Sequence, residues 1–181
     1  GGAAFIQLRE KHAASGQFYE AADKAIAIAR SKGARIIIHD RVDIALALKA
    51  DGVHLGQDDL PCEQARRILG ERAIIGLSTH TPEQAKTALD LPIDYIAFGP
   101  IFPTSTKTDP DEVVGLEGLS RIRSLIGDFP LVAIGGITAS NVQQVLEAGA
   151  DSAAIISDLI SDASQITKKM RTILSNQLRN V

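Results

Sequence analysis

Tryptophan is absent from this 181-residue chain, and it holds one cysteine, Cys62, and one methionine, Met170. A single cysteine excludes an internal disulfide, so a packed core must supply the stability; the usage fits a reducing cytoplasmic setting. Cys62 reads as a small residue near a helix start rather than as a nucleophile. Aromatic residues make up only 4% of the chain and no basic block occurs, which removes the nucleic-acid-binding classes. No apolar run approaches the roughly 20 residues of a membrane span, and no signal-peptide pattern opens the sequence. No G-x-G-x-x-G follows a strand-like segment and no P-loop is present, so the nucleotide-binding open sheets lose support. What remains is a mildly acidic chain, formal net charge -3 and 45% apolar, able to bury one sizeable core. A single domain over residues 1–181 is the expectation.

Strand and helix patterns alternate. Apolar runs rich in β-branched residues recur as "AFIQLR" (4–9), "ARIIIHD" (34–40), "GVHLG" (52–56), "AIIGLS" (73–78), "DYIAFG" (94–99), "LVAIGG" (131–136) and "SAAIIS" (152–157). Helical spacing follows each of them. Ala22, Ala25, Ile26 and Ala29 share one face; Val142, Val145 and Leu146 share another before Gly149 stops the helix. "THTPEQA" offers Thr81 as N-cap, Pro82 at the first helical position and Gln84 three residues after the cap. Ile166, Met170, Ile173 and Leu174 repeat at helical spacing near the end.

Seven strand–helix units in series predict an α/β fold with parallel strands buried on both faces. Of the two closures open to such a chain, the (β/α)8 TIM barrel needs eight units. The count therefore predicts a barrel lacking its first βα unit in this chain, N-terminally incomplete.

In a barrel, chemistry gathers at the C-terminal ends of the strands. The polar residues fall there: Arg9-Glu10-Lys11, His39-Asp40-Arg41, Gln57-Asp58-Asp59, Ser78-Thr79-His80, the run "PIFPTSTKTDPD", Gly135-Gly136 and Ser157-Asp158. Two anion sites can be read from them. The loops "GGI" and "SDL", after the last two strands, are where barrels commonly hold a phosphate through backbone N–H groups. Arg9, Lys11 and Lys107, with Asp40 and Asp59, suit a polyanion and a Mg2+ ion, which favours one or two carboxylates, water and substrate phosphates.

Taken together, "IQLREK", "DRVDIALALKADGVHLGQDDLP", "GLSTHT", "DYIAFGPIFPTSTKTDPD", "VAIGGI" and "GADSAAIIS" resemble the thiamine-phosphate synthase family from about residue 2 to about residue 160. The resemblance implies a Mg2+-dependent transferase of thiamine biosynthesis that joins hydroxymethylpyrimidine diphosphate to thiazole phosphate and releases diphosphate. It implies that Gln7, Arg9, Lys11 and Lys107 contact the diphosphate, that Asp40 and Asp59 hold Mg2+, and that Ser78 lies near the pyrimidine diphosphate. Thr104, Thr106, Gly136, Ile156 and Ser157 would receive the thiazole phosphate. The reaction it implies is dissociative: the diphosphate leaves first, and the thiazole nitrogen attacks the pyrimidine methylene cation. Arg9, Lys11 and Lys107 then act as catalytic cations by neutralising the leaving group.

His39 departs from the family pattern, which usually has Asn before the metal-binding Asp. It is expected to contact substrate and to make affinity depend on pH near neutrality. Asp58 is a competing choice for the ligand role given to Asp59. His12, His54 and His80 read as packing or locally hydrogen-bonded residues, and residues 104–111 as a candidate lid. Two other readings are weighed. A thiazole tautomerase would need a general acid–base His where Pro100 stands. A non-catalytic remnant that binds phosphorylated ligands would follow if the missing unit were essential. No nucleic-acid or membrane partner is expected, and homo-oligomerisation is left open.

Overall fold

The computed structural model describes residues 1–104 and 111–177. Strands and helices alternate as β1 (Phe5–Leu8), α1 (Ser15–Ser31), β2 (Arg35–His39), α2 (Val42–Leu48), β3 (Gly52–Leu55), α3 (Cys62–Leu69), β4 (Ile74–Thr79), α4 (Pro82–Ala88) and β5 (Tyr95–Phe98). They continue as α5 (Gly115–Ile126), β6 (Leu131–Ala133), α6 (Val142–Glu147), β7 (Ser152–Ala153) and α7 (Ser157–Ile160), with α8 (Ile166–Gln177) after a short 3-10 turn. The class is the α/β one of TIM barrels, seven strands each followed by helix among the described residues. The chain divides into an N-terminal unit, Ala3–Ser78 with Leu91–Asp94, and a C-terminal unit, Gly1–Gly2 with Thr79–Asp90 and Tyr95–Val181.

In the N-terminal unit β1, β2, β3 and β4 pair in that order, all parallel. Ile36, Ile37, Ile38, Val53, Leu55 and Ile75 are buried almost completely, so side chains pointing to both faces of these strands are covered. The inner face of α1 is Phe18, Ala22, Ile26 and Ala29, at the helical spacing read from the sequence. β1 breaks the expectation of two covered faces: Phe5 is 43% and Ile6 37% exposed. The reason is local. α1 packs on β2 and α2, and within this unit β1 pairs with β2 alone.

In the C-terminal unit β5, β6 and β7 pair parallel in sequence order around Ile96, Phe98, Leu131 and Ala133. Leu119 and Ile122 of α5 and Val145 of α6 complete the core. α4 starts as its sequence says: the Thr81 side chain accepts the Gln84 N–H at 3.2 Å, and Gln84 Oε1 accepts the His80 N–H at 2.7 Å. β6 and β7 are shorter than the apolar runs that announce them. Gly135 and Gly136 turn the chain with φ of 89° and 66°. A Cβ on Gly135 would meet Pro100 Cβ at 2.4 Å, and one on Gly136 would meet the Pro103 carbonyl at 2.6 Å. Both conformation and crowding therefore demand glycine there.

One motif repeats along the chain. Asp51, Asp94 and Asp151 immediately precede β3, β5 and β7 or their first residue. Each accepts through Oδ2, at 2.7 Å, the N–H of a residue at the start of the strand before: Ile36, Ile75 and Leu131. Each also donates its own N–H to the carbonyl of that same residue. An arginine from the helix that precedes the even strand reinforces the second and third clasps, Arg66 of α3 to Asp94 at 2.8 Å and Arg123 of α5 to Asp151 at 2.5 Å. The N-terminal ends of the even strands, where a ladder would fray, are thereby closed.

Candidate active site

In the N-terminal unit the chain makes a tight turn just past β2. The Arg41 N–H bonds the His39 carbonyl at 2.7 Å, and Asp40 between them adopts φ of 62°. A left-handed aspartate is uncommon, and such strain collects where a side chain must be aimed. Asp40 Oδ2 lies 3.1 Å from Lys11 Nζ. Its Oδ1 is buried and no hydrogen bond reaches it, although His39 Nε2 approaches to 3.1 Å. Gln7 Nε2, at the end of β1, lies 2.7 Å from His39 Nδ1. An amide N–H2 only donates, so in this orientation Nδ1 accepts and the ring proton sits on Nε2.

Asp59 closes the group from the loop after β3. Its Oδ2 accepts the Gly56 N–H at 2.7 Å. Burial raises its pKa above the usual aspartate range, and the neighbouring Asp40 carboxylate raises it further; the Gly56 N–H and Lys11 oppose the shift. Asp58 is exposed to solvent, so the partner of Asp40 is Asp59. Two crowded carboxylates, one with an orphaned buried oxygen, are a donor pair that suits a hard divalent cation with water and phosphate as remaining ligands, and the Lys11 ammonium alongside suits the phosphate and not the cation. Arg9 is exposed just beyond β1.

Ser78, near the end of β4, is 7% exposed. Its Oγ lies 2.8 Å from His54 Nε2, and its carbonyl accepts from Gln57 Nε2 at 2.6 Å. His54 is 3% exposed and stacks on His39, ring centroids 5.7 Å apart and planes 11° apart. Gln7, His39, His54 and Ser78 thus form one polar line across β1 to β4. His54 and Gln57 were not read as site residues from the sequence. A buried histidine in an otherwise apolar strand was the available signal.

In the C-terminal unit the loops after β6 and β7 are joined. Asn141 Nδ2 donates to the Gly136 carbonyl at 3.1 Å, and Asn141 Oδ1 accepts the Thr138 N–H at 2.8 Å. The Ala139 N–H donates to Asp158 Oδ2 at 2.8 Å. Ile156 is 44% exposed, and Ser157 opens α7. Thr104 is half-buried. Thr106 and Lys107, with most of the candidate lid, lie outside the described residues. His80 matches its modest expectation by bonding the Gly99 carbonyl through Nδ1 at 2.5 Å, with Nε2 3.4 Å from Asp111. Cys62 is buried as the first residue of α3, and burial pushes its thiol pKa up to about 11, which suits packing and not nucleophilic attack.

No helix among the described residues is long and apolar enough to cross a membrane. Residues 1–159 match the family of thiamine monophosphate synthase. The chain is 47% identical over 175 residues to the thiamine-phosphate synthase of Syntrophomonas wolfei, covering 96% of this chain and 83% of that one. It is 42% identical to the synthase of Chloroflexus aurantiacus, covering 97% and 81%. The thiamine phosphate pyrophosphorylase structure from Pyrococcus furiosus superimposes with a TM-score of 0.86 at 38% identity, over 97% of this chain and 83% of that chain. The motifs, the βα series and these likenesses agree: the chain belongs to the thiamine-phosphate synthase family of transferases.

Proposed function

We propose that this chain joins hydroxymethylpyrimidine diphosphate to thiazole phosphate, releases diphosphate, and works with Mg2+ in the cytosol. The observation that carries the reading is the Asp40 group: a buried carboxylate oxygen without a hydrogen bond, beside Asp59 and within reach of Lys11. Asp40 and Asp59 would hold the ion, which when bound supplies positive charge to a departing diphosphate. The rest is the work of side chains. Lys11, whose charge already offsets Asp40, moves toward diphosphate oxygens when substrate enters, joined by Arg9 and Lys107. Arg9 can grip two phosphate oxygens at once, a geometry lysine cannot copy. Gln7 orients His39, and His54 orients Ser78, so the line across the strands presents fixed donors to the pyrimidine end. Gly136, Ile156 and Ser157, with Thr104 and Thr106, would take the thiazole phosphate. No side-chain nucleophile is required; positioning and fixed charge provide the rate. A tautomerase reading is disfavoured by Pro100, which has no proton to transfer.

The test is an assay of thiamine phosphate formation from both substrates. Product that disappears with EDTA and with Asp40→Ala supports the proposal. A folded chain that forms no product with Mg2+, yet binds both phosphorylated substrates, would make it a binding protein instead.

A further inference from the structure

An aspartate directly after Ser157 is an odd neighbour for a bound phosphate, because like charges repel more strongly as water is excluded. The structure accounts for Asp158. Its Oδ2 is committed to the Ala139 N–H at 2.8 Å, and its Oδ1 to Lys169 Nζ of α8 at 3.1 Å. Lys169 also donates to the Asp158 carbonyl and to Ser161 Oγ. Both charged side chains are largely covered, Asp158 25% and Lys169 30% exposed. The Ala139 N–H, then Lys169, hold the Asp158 carboxyl below the usual aspartate range. On the far side of this link, Asn141 fixes Gly136 and Thr138.

We infer that Asp158, neutralised by Lys169, is a positioning residue: it ties the loop after β7 to the loop after β6 and thereby sets the affinity for the phosphate of the thiazole substrate. This rests on the proposal that Gly136, Ile156 and Ser157 receive that phosphate. The carboxylate acts through the Ala139 backbone and touches no substrate atom. Lys169 keeps its negative charge from opposing the ligand.

Two substitutions separate the strut from the charge. Asp158→Asn retains a carbonyl oxygen for Ala139 and removes the charge; Asp158→Ala removes both. Binding of thiazole phosphate and of inorganic phosphate to the full chain is measured by calorimetry with diphosphate at saturation, so that the cations of the N-terminal unit are occupied. Asp158→Ala is expected to weaken both ligands about 10-fold, the scale of one lost charge-assisted hydrogen bond. Asp158→Asn is expected to stay within about twofold, and Lys169→Met to weaken binding about threefold or more by exposing the ligand to an unneutralised carboxylate. Binding of thiazole alcohol, which lacks the phosphate, should not change in any variant, an outcome that general loosening would not give. The inference is overturned if Asp158→Ala binds like wild type, if Asp158→Asn falls as far as Asp158→Ala, or if wild type binds neither phosphate ligand. A wild-type chain showing the expected pattern but forming no thiamine phosphate would sink the synthase proposal and leave this inference standing.

Discussion

His54 Nε2 stands 2.8 Å from Ser78 Oγ, and both residues are almost wholly buried on neighbouring strands. A serine hydroxyl rotates freely unless a partner fixes it. His54 therefore decides where the Ser78 donor and lone pairs point. His54→Asn is expected to lower kcat about 10-fold, the scale of one misdirected hydrogen bond. In a Ser78→Ala background the same change should add almost nothing. Independent, multiplying effects in the double variant would show that the two side chains do not act as a unit.

Removal of the metal should be visible without turnover. Burial, and after it the neighbouring Asp40 carboxylate, raise the Asp59 pKa, so an ionised Asp59 destabilises the cation-free fold above the usual aspartate range. Mg2+ at 100 times its dissociation constant is expected to stabilise the fold by about 2.7 kcal/mol. Asp59→Asn should melt higher than wild type in EDTA and gain nothing from Mg2+. A thermal scan in which Mg2+ moves the variant as much as wild type would show that the ion binds elsewhere.

Acid should loosen the C-terminal unit through Asp158. Its pKa is depressed in the fold, first by the Ala139 N–H and then by Lys169. The stabilisation is therefore present above the unfolded value of 3.8 and is lost as pH falls through the lower folded value. The difference in stability between wild type and Asp158→Asn should shrink below about pH 4, as carboxylates in that range take up protons. Urea melts at pH 3 and pH 7 measure it; a difference that is larger at pH 3 would contradict this sign.

Arg66 is a stability residue with no part in the chemistry. Its guanidinium reaches the carbonyls of Gly70, Glu71, Ala73 and Pro92 as well as Asp94, and its side chain is only 11% exposed. Arg66→Ala takes this partner from two part-buried carbonyls, those of Ala73 and Pro92, and from Asp94, and is expected to cost about 2–4 kcal/mol. That corresponds to roughly 5–12 °C in Tm for a chain of this size. KM for both substrates should stay unchanged; a shift in either would place Arg66 in the site.

Much of this was readable beforehand because parallel strands buried on both faces leave continuous apolar runs, as in "RIIIHD" and "DYIAFG". The α4 start was legible for the same kind of reason: Thr81, Pro82 and Gln84 carry cap chemistry that needs no tertiary partner. β1 was misjudged because its sequence cannot say whether anything covers Phe5 and Ile6. Asp40 and Asp59 were legible as candidates by residue type, and that Asp59 neighbours Asp40 while Asp58 is exposed needed the fold of the loop after β3. His54 was read as a packing or hydrogen-bonded residue and Asp158 as a polar strand-end residue, but their partners, Ser78 and Ala139, lie 24 and 19 residues away in the chain and could not be named. Long-range pairings of that kind leave no periodic trace in a sequence.

The Asp51, Asp94 and Asp151 clasps sit at the strand starts, whereas every residue assigned to substrate or metal follows a strand end or lies in a loop beyond one, except Gln7, His39 and Ser78, which lie in the last residues of their strands. Architecture and chemistry are thereby written in separate parts of the chain. Drift in the substrate-facing loops can change what is bound while the strands keep their register. Drift at the clasps is answered by loss of the fold before any new specificity could be tried. A lineage carrying this arrangement can experiment at one end of its strands because the other end is fastened.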